Sequence, residues 1–449
     1  MKRILVLGAG KSSPTLISYL LEHSEKHDWN VTVADLDREL AQQRVGGHPR
    51  GKAIAFNAGD ADVLDELIRD ADIVVNFLLP RFQTLVANAC VTHGTHFVSA
   101  SYRNPEIREM DAAARRKGVL LLNEMGLDPG IDLMSAMDII QRVRDKGGII
   151  RSFASYGSGI PAPENHSNPL RYVITWNPYN VVMAGSSGAQ YLEDGQIRAL
   201  PYHRVFTQTW SVDVDGVGKL EAYANRDSIA YLDYFGLEHA ETMIRGTLRY
   251  PNWGKTWSKI INLGLTNDTL TIPQLEQRSL REIVEMFLPP HLAGSDVRQR
   301  VAEYLNIKPT GRAMQQMEYL GLFSDEILGT KGQTAADAMV HVLQMKLPLR
   351  KEDRDMVILV HRITVEYPEA ESCREEIVST FLCYGDPNGH TGMSKTVGLP
   401  AAIAVKLILT GKLEATGSQL PLLPEIYKPV LEELEQLGMP FREKVTPLD

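Results

Sequence analysis

Cysteine is scarce: Cys90, Cys373 and Cys383 are the only three, an odd number with no CxxC spacing. That excludes a disulfide framework and a cysteine-built zinc site, and makes buried thiols the expectation. No apolar run approaches the roughly 20 residues that span a bilayer, so no membrane partner is expected. Positive charge is in deficit, 47 Lys and Arg against 56 Asp and Glu, for a formal net charge of -9. Long-range repulsion then opposes nucleic acid and anionic membranes. A local arginine cluster can still hold a small anionic substrate. There is no HExxH or paired-histidine spacing and no GxSxG elbow, so neither a metal nor serine-hydrolase chemistry is expected. His361, on an apolar strand, reads as a core histidine. The opening "MKRILVLGAG" has an apolar stretch too short for a signal-peptide core, and Gly-Ala-Gly ends it. A strand and a cytoplasmic location are the expectations. No repeat or low-complexity linker is visible.

What is present is enough for several cores: 449 residues, 44% hydrophobic, suggest two or three domains. "RILVL" at 3–7 leads through Gly-Ala-Gly into "PTLISYLLEHSEK", apolar at helical spacing. Strand patterns at 30–35, 52–59, 71–78, 95–100 and 118–125 alternate with helical ones at 37–44, 60–69, 81–93 and 105–117. Near-continuous apolar strands in β-α alternation predict an α/β doubly wound parallel sheet, ending near residue 127. Beyond 149, "IIRSFASYG", "YVITW", "HRVFTQTWSV" and "KLEAYAN" read as strands of a second domain. Residues 253–346 return to helical spacing as an insertion, and "DMVILVHRITVEY" and "EEIVSTFLCYG" rejoin the second sheet. The tail holds the helical patterns 393–411 and 424–438. The expected partition is 1–127 with 390–449, 128–252 with 347–389, and 253–346.

"VLGAGKSSP" follows the first strand and supplies Gly8 and Gly10 of a dinucleotide fingerprint, which lets backbone approach a pyrophosphate at a helix N-terminus. Ser13 stands where the third glycine belongs, and Pro14 suits a first helical turn. Asp35, ending the second strand, would accept from ribose hydroxyls and repel a 2'-phosphate, favouring NAD with NADP as the alternative. Open parallel sheets bind ligands at the carboxyl ends of their strands. Three consecutive ends there carry Ser101, Tyr102, Asn123, Glu124 and Asp128. Asp132 suits the first turn of the next helix. In the second domain, Arg226, Arg245 and Arg249 lie in short segments rich in Gly, Thr and Tyr, suited to gripping carboxylates.

"GAGKSSP", "VSASY", "NEMGLDPGIDLMSAM", "SYGSGIPAPENHSNPLRY", "NRDS", "IRGTLRY" and "GMSKTVGLPAAIAVKLIL" occur in an order that resembles the glutamate-forming saccharopine dehydrogenases, over essentially the whole chain. The resemblance implies a Rossmann-type domain completed by the C-terminal segment, a substrate domain on a mixed sheet, and a helical insertion. It implies NAD(P)-dependent oxidation of saccharopine to glutamate and 2-aminoadipate 6-semialdehyde, or the reverse condensation, in lysine metabolism. It also implies substrate contacts at Ser101, Tyr102, Asp128, Arg226, Thr247, Leu248 and Arg249. Cofactor contacts would fall on Gly8, Gly10, Lys11, Ser12, Ser13, Asp35, Phe77, Leu78, Leu127, Asp128, Gly130 and Asp132. Fungal members carry Cys-Arg, suited to NADP, where this chain has Ala34-Asp35, and a Cys where it has Gly157. Proton transfer then falls to Tyr102 and Asp128. A lysine 6-dehydrogenase, a polyamine-type condensing reductase and a non-catalytic nucleotide-binding protein are the alternatives. A homodimer paired through an exposed second-domain strand is the oligomer to test.

Overall fold

The computed structural model describes residues 1–165, 168–292, 296–368 and 373–448. The chain forms two compact units, Met1–Ile149 with Phe381–Arg442, and Ile150–Thr380 with Glu443–Asp449.

The first unit contains β1 (Lys2–Leu7), β2 (Trp29–Asp35), β3 (Gly51–Ala55), β4 (Ile73–Asn76), β5 (His96–Ser99) and β6 (Leu120–Leu122). Together with the short strand Gly417–Gln419 they make a seven-stranded sheet in the order 417–419, β6, β5, β4, β1, β2, β3. Every pairing in it is parallel. Strand Ile4–Leu7 is at most 2% exposed, because helices cover both faces of such a sheet, which is why its strands read as unbroken apolar runs. The strand order reverses beside β1, between β2 and β4, and that switch point is where open sheets of this kind bind ligands.

The first unit extends past residue 127, where the sequence pattern predicts a boundary. Helix Ile131–Asp145 buries Ile139, Ile140 and Val143 and packs against helix Pro424–Gln436 of the same unit. The C-terminal segment does complete the sheet. Its helix Gly392–Leu409 is long and apolar enough to cross a membrane, and 78% of it is buried inside the structure, as in a core helix. Cys90 and Cys383 are buried thiols; the side chain of Cys373 lies outside the described residues.

The second unit is built on β7 (Ile149–Pro161), β8 (Ala189–Glu193), β9 (Gln196–Leu200), β10 (Thr209–Val214), β11 (Gly218–Ala224), β12 (Arg226–Asp227), β13 (Thr242–Arg249), β14 (Asp355–Tyr367) and β15 (Cys373–Tyr384). The ladder runs β10, β11, β13, β7, β14, β15 and then strand Phe441–Leu448, with β8, β9 and β12 attached to one side. Parallel pairing of β13 with β7 beside antiparallel β11–β13 makes it a mixed sheet. Helices Trp253–Asn262, Leu280–Phe287, Val297–Tyr304, Arg312–Tyr319 and Ala335–Lys346 fall between β13 and β14, and belong to this unit rather than to a separate body.

Two strand expectations fail locally. "YVITW" forms one isolated bridge, Ile174 with Pro348. Its backbone is engaged instead by Asn168, whose side chain donates to the Tyr172 carbonyl at 2.8 Å and accepts from its N–H at 3.4 Å, an alternative that side-chain amides offer to a ladder. In "HRVFTQTWSV", Pro201 opens the helical turn Tyr202–Val205, so the strand starts only at Thr209.

Candidate active site

The nucleotide loop starts from strand geometry. Gly8 leaves β1 at φ +103°, and a Cβ there would lie 2.8 Å from the Phe77 carbonyl oxygen. Only glycine permits that contact between the loop and the end of β4. Phe77 N–H donates to Leu7 at 2.8 Å, so Phe77 and Leu78 do flank the loop. A Cβ on Gly10 would meet no atom within 4 Å, which leaves an open cradle on that side of the backbone. Lys11 and Ser12 continue the turn, and the Ser13 N–H and hydroxyl close it on the Gly10 carbonyl at 3.3 and 3.1 Å. Ser13 does not cap the following helix, Pro14–Glu22. Ser394 does so from the C-terminal helix, its Oγ accepting from Thr15 N–H at 3.1 Å and lying 2.8 Å from the Thr15 hydroxyl.

Asp35 is tied to this loop: one carboxylate oxygen accepts Ala9 N–H at 2.7 Å and the other accepts Asp37 N–H at 2.9 Å. Each oxygen keeps a further lone pair for a ribose hydroxyl. Arg44, which no motif marks, donates from Nε to the Ala9 carbonyl at 3.2 Å, and burial lowers its pKa. An open glycine cradle, a helix N-terminus and a carboxylate at the end of β2 fit a dinucleotide.

The adjacent ends of β5 and β6 lead into the candidate residues Ser101, Tyr102 and Asp128. The Tyr102 hydroxyl donates to Asp128 Oδ1 at 3.1 Å. Ser101 is joined to the same turn by its carbonyl, which accepts Glu124 N–H at 3.2 Å. Glu124 has φ +62° and accepts Arg103 N–H at 3.0 Å. The turn closes through Gly126, where Ile131 N–H donates to its carbonyl at 2.9 Å, and through Gly130, whose φ is +149° and whose Cβ would fall 2.1 Å from the Gly126 oxygen. Asp132, 3% exposed, accepts Gly130 N–H at 2.7 Å. It therefore shapes the helix start, while Leu127 is 6% exposed and largely packed inside.

Beneath this turn lies a buried amide that sequence reasoning missed. Gln83 donates to the Tyr102 carbonyl at 2.9 Å and accepts from Ser99 Oγ at 3.0 Å and Asn123 Nδ2 at 3.2 Å. It fixes the backbone that carries Tyr102.

In the second unit, Thr247, Leu248 and Arg249 end β13. Leu248 is 0% exposed, so its side chain serves the core, and its carbonyl accepts Arg249 Nη1 at 2.8 Å. Thr247 bonds the Tyr223 phenol, which burial pushes to a raised pKa. Arg226 is exposed on β12, at φ +54°. Arg245 is 3% exposed with its guanidinium 4.1 Å from the Tyr231 ring, a core position.

Comparison with known proteins divides the chain along its sequence rather than by folding unit. The family model of the saccharopine dehydrogenase NADP binding domain matches residues 4–122, and that of the saccharopine dehydrogenase C-terminal domain matches 126–439. The saccharopine dehydrogenase [NADP(+), L-glutamate-forming] of Saccharomyces cerevisiae is 32% identical over 99% of both chains. The mitochondrial alpha-aminoadipic semialdehyde synthase of Rattus norvegicus is 30% identical over 99% of this chain, which spans only 48% of that longer protein. The apo structure of the Saccharomyces cerevisiae L-Glu-forming saccharopine dehydrogenase superposes with a TM-score of 0.86 at 30% identity, covering 99% of this chain and 100% of that one. With two domain models in series and a relative matched from end to end, the chain belongs to the saccharopine dehydrogenase family.

Proposed function

We propose that the protein catalyses NAD(P)-dependent oxidation of saccharopine to glutamate and 2-aminoadipate 6-semialdehyde, or the reverse reductive condensation, in lysine metabolism. The observation that carries this reading is the Tyr102 hydroxyl donating to Asp128 Oδ1 at 3.1 Å, on the carboxyl edge of the sheet that also holds the nucleotide loop. Relatives matched along the whole chain bear the names of enzymes of this reaction, which supports it. The backbone from Gly8 to Ser13 would hold the pyrophosphate at the start of helix Pro14–Glu22. A bound nicotinamide dinucleotide supplies the hydride acceptor.

Asp128 takes the proton of the secondary ammonium, and the Tyr102 hydroxyl, donating to its Oδ1, orients the carboxylate. Loss of that proton and of the hydride from the adjacent carbon leaves a carbon–nitrogen double bond. Asp128 releases that proton to solvent, takes another from the water that adds to the imine carbon, and returns it to the nitrogen, which departs with glutamate as the carbon–oxygen double bond of the semialdehyde forms. Positioned acid–base groups of this kind contribute about 10²- to 10⁴-fold. Arg226, Thr247 and Arg249 supply the cations and hydroxyl that suit a substrate with three carboxylates.

Asp35 supports NAD over NADP, since a carboxylate held there by the Ala9 and Asp37 N–H groups would repel a 2'-phosphate. The test is absorbance at 340 nm when saccharopine is added with NAD and, separately, with NADP. Reduction of NAD at the higher kcat/KM is expected. A preference for NADP would overturn the cofactor assignment, and no reduction of either by a folded sample that binds nucleotide would overturn the reaction.

A further inference from the structure

The second unit holds another arginine, inside the quoted "NPLRY" stretch, to which the motif assigns no role. Arg171 stands between Leu170 and Tyr172 at φ +49°, a conformation that side chains other than glycine rarely hold without a compensating role. Its guanidinium lies 3.6 Å from the centroid of the Tyr250 ring. Arg249, the neighbour of Tyr250, has its own guanidinium 4.8 Å from the ring of Tyr172, the neighbour of Arg171, and 5.0 Å from that of Trp253. Each arginine thus stacks on the residue next to the other, which brings both cations into one aromatic cluster.

Neither is neutralised: among the described residues no ion pair includes Arg171 or Arg249. The Nε of each is buried without a hydrogen-bond partner. Arg249 is only 4% exposed, and its Nη1 is spent on Ser158 Oγ at 2.6 Å and the Leu248 carbonyl at 2.8 Å. Those bonds fix the plane of the fork and leave the Nε edge unsatisfied. A buried cation whose N–H groups lack an acceptor is costly unless an anion arrives to complete it. Faces stacked on Tyr and Trp rings hold the guanidinium planes still, so little freedom remains to be lost when a carboxylate binds.

We infer that Arg171 acts with Arg249 to grip one carboxylate of the substrate, making Arg171 a determinant of specificity for a multiply charged amino acid. This rests on the proposed saccharopine reaction. With Arg245 held in the core, Arg226 and Arg249 are fewer than the three carboxylates of the substrate, and the pair provides a planar, donor-only receptor for one of them.

Arg171→Gly is the informative variant, because glycine accepts the positive φ and the backbone is kept. With the full chain, KM for saccharopine is expected to rise at least tenfold, equivalent to 1.4 kcal/mol, while kcat and KM for the nucleotide stay within twofold. Competitive inhibition by glutarate, a dicarboxylate probe, should weaken by a similar factor. Arg171→Lys, which keeps charge without the fork, should recover only part of the loss. An unchanged KM and unchanged glutarate inhibition in Arg171→Gly would overturn the assignment. If wild-type protein turns over no saccharopine, the reaction is wrong but the pair is still tested, by glutarate titration of tryptophan fluorescence from Trp253 beneath Arg249. A response lost in Arg171→Gly supports the carboxylate grip, and no response in wild type overturns it.

Discussion

At the scale of single residues, the proposed pairing of Tyr102 with Asp128 rests on a hydrogen bond set in a turn that leaves little freedom. A Cβ on Gly130 would fall 2.1 Å from the Gly126 oxygen, so only glycine fits there, and Asp132 holds that glycine's N–H, so Asp128 is presented from a fixed backbone. Removing the phenol's hydroxyl takes away one donor to the carboxylate without opening a cavity. Tyr102→Phe is therefore expected to lower kcat about 10²- to 10⁴-fold and to leave the dissociation constant for nucleotide unchanged, read by steady-state kinetics beside nucleotide titration. A fall of less than threefold would move proton transfer to another group. Tyr102 and Asp128 were legible in the sequence because both stand at strand ends beside turn residues. Gln83 was not: it opens a helix with no motif, and its partners Ser99 and Asn123 come from other strands. Only tertiary contact reveals such a residue.

At the scale of elements, the missing third glycine of the nucleotide fingerprint has a structural answer. That glycine ordinarily lets helix and neighbour approach closely. Here the close approach is made by Gly398 of helix Gly392–Leu409, where a Cβ would lie 2.9 Å from Leu16 N and 3.3 Å from the Ser12 carbonyl. Filling that contact must displace the helix that follows the loop, and overpacking of this kind costs about 1–3 kcal/mol. Gly398→Val should thus weaken nucleotide binding at least tenfold in a titration of folded protein, whereas Gly10's neighbour space would be untouched. An unaltered affinity would show that the loop does not depend on the C-terminal helix. The sequence shows the gap at Ser13 but not the residue, nearly 400 positions later, that fills it. Three-residue Gly417–Gln419 and the β8–β9 hairpin escaped for a different reason, since such short or exposed strands carry too little alternation to register.

The second sheet adds a pH effect at this scale. Burial, helped by the charge of Arg245, pushes the His361 pKa down to about 3, so the folded protein keeps that imidazole neutral. The unfolded chain protonates it near pH 6.5, so between these values the unfolded state binds more protons and stability falls as pH falls, by at most about 1.4 kcal/mol per unit. His361→Leu removes the term. Its stability loss from pH 6.5 to pH 5 should be smaller than that of wild type by up to about 2 kcal/mol, measured from urea midpoints. Equal losses would mean that His361 is charged in the folded state.

At the scale of the whole molecule, the chain's order and its folding units disagree. The first unit takes Met1–Ile149 and then waits for Phe381–Arg442, which brings the edge strand beside β6 and the helix that caps Thr15. The alternating pattern of the first 125 residues reveals a parallel sheet, yet no periodicity within it says that the sheet is unfinished. That became legible only through the family resemblance, which places a C-terminal segment in the dinucleotide domain. The dependence is large in physical terms: Ala401, Ala402, Ile403, Ala404 and Val405 are all 0% exposed, and each buried apolar side chain of this kind contributes up to about 1.5–3 kcal/mol in the larger cases. A chain ending at Thr380 would lose that burial and the Ser394 cap together, and is expected to bind no nucleotide and to lose the cooperative unfolding transition of the first unit. A chain ending at Arg442 discards only part of an exposed edge strand and should retain nucleotide affinity within twofold. Nucleotide titration of the two truncations decides the matter, and wild-type affinity in the shorter one would show that the first 149 residues suffice for the site.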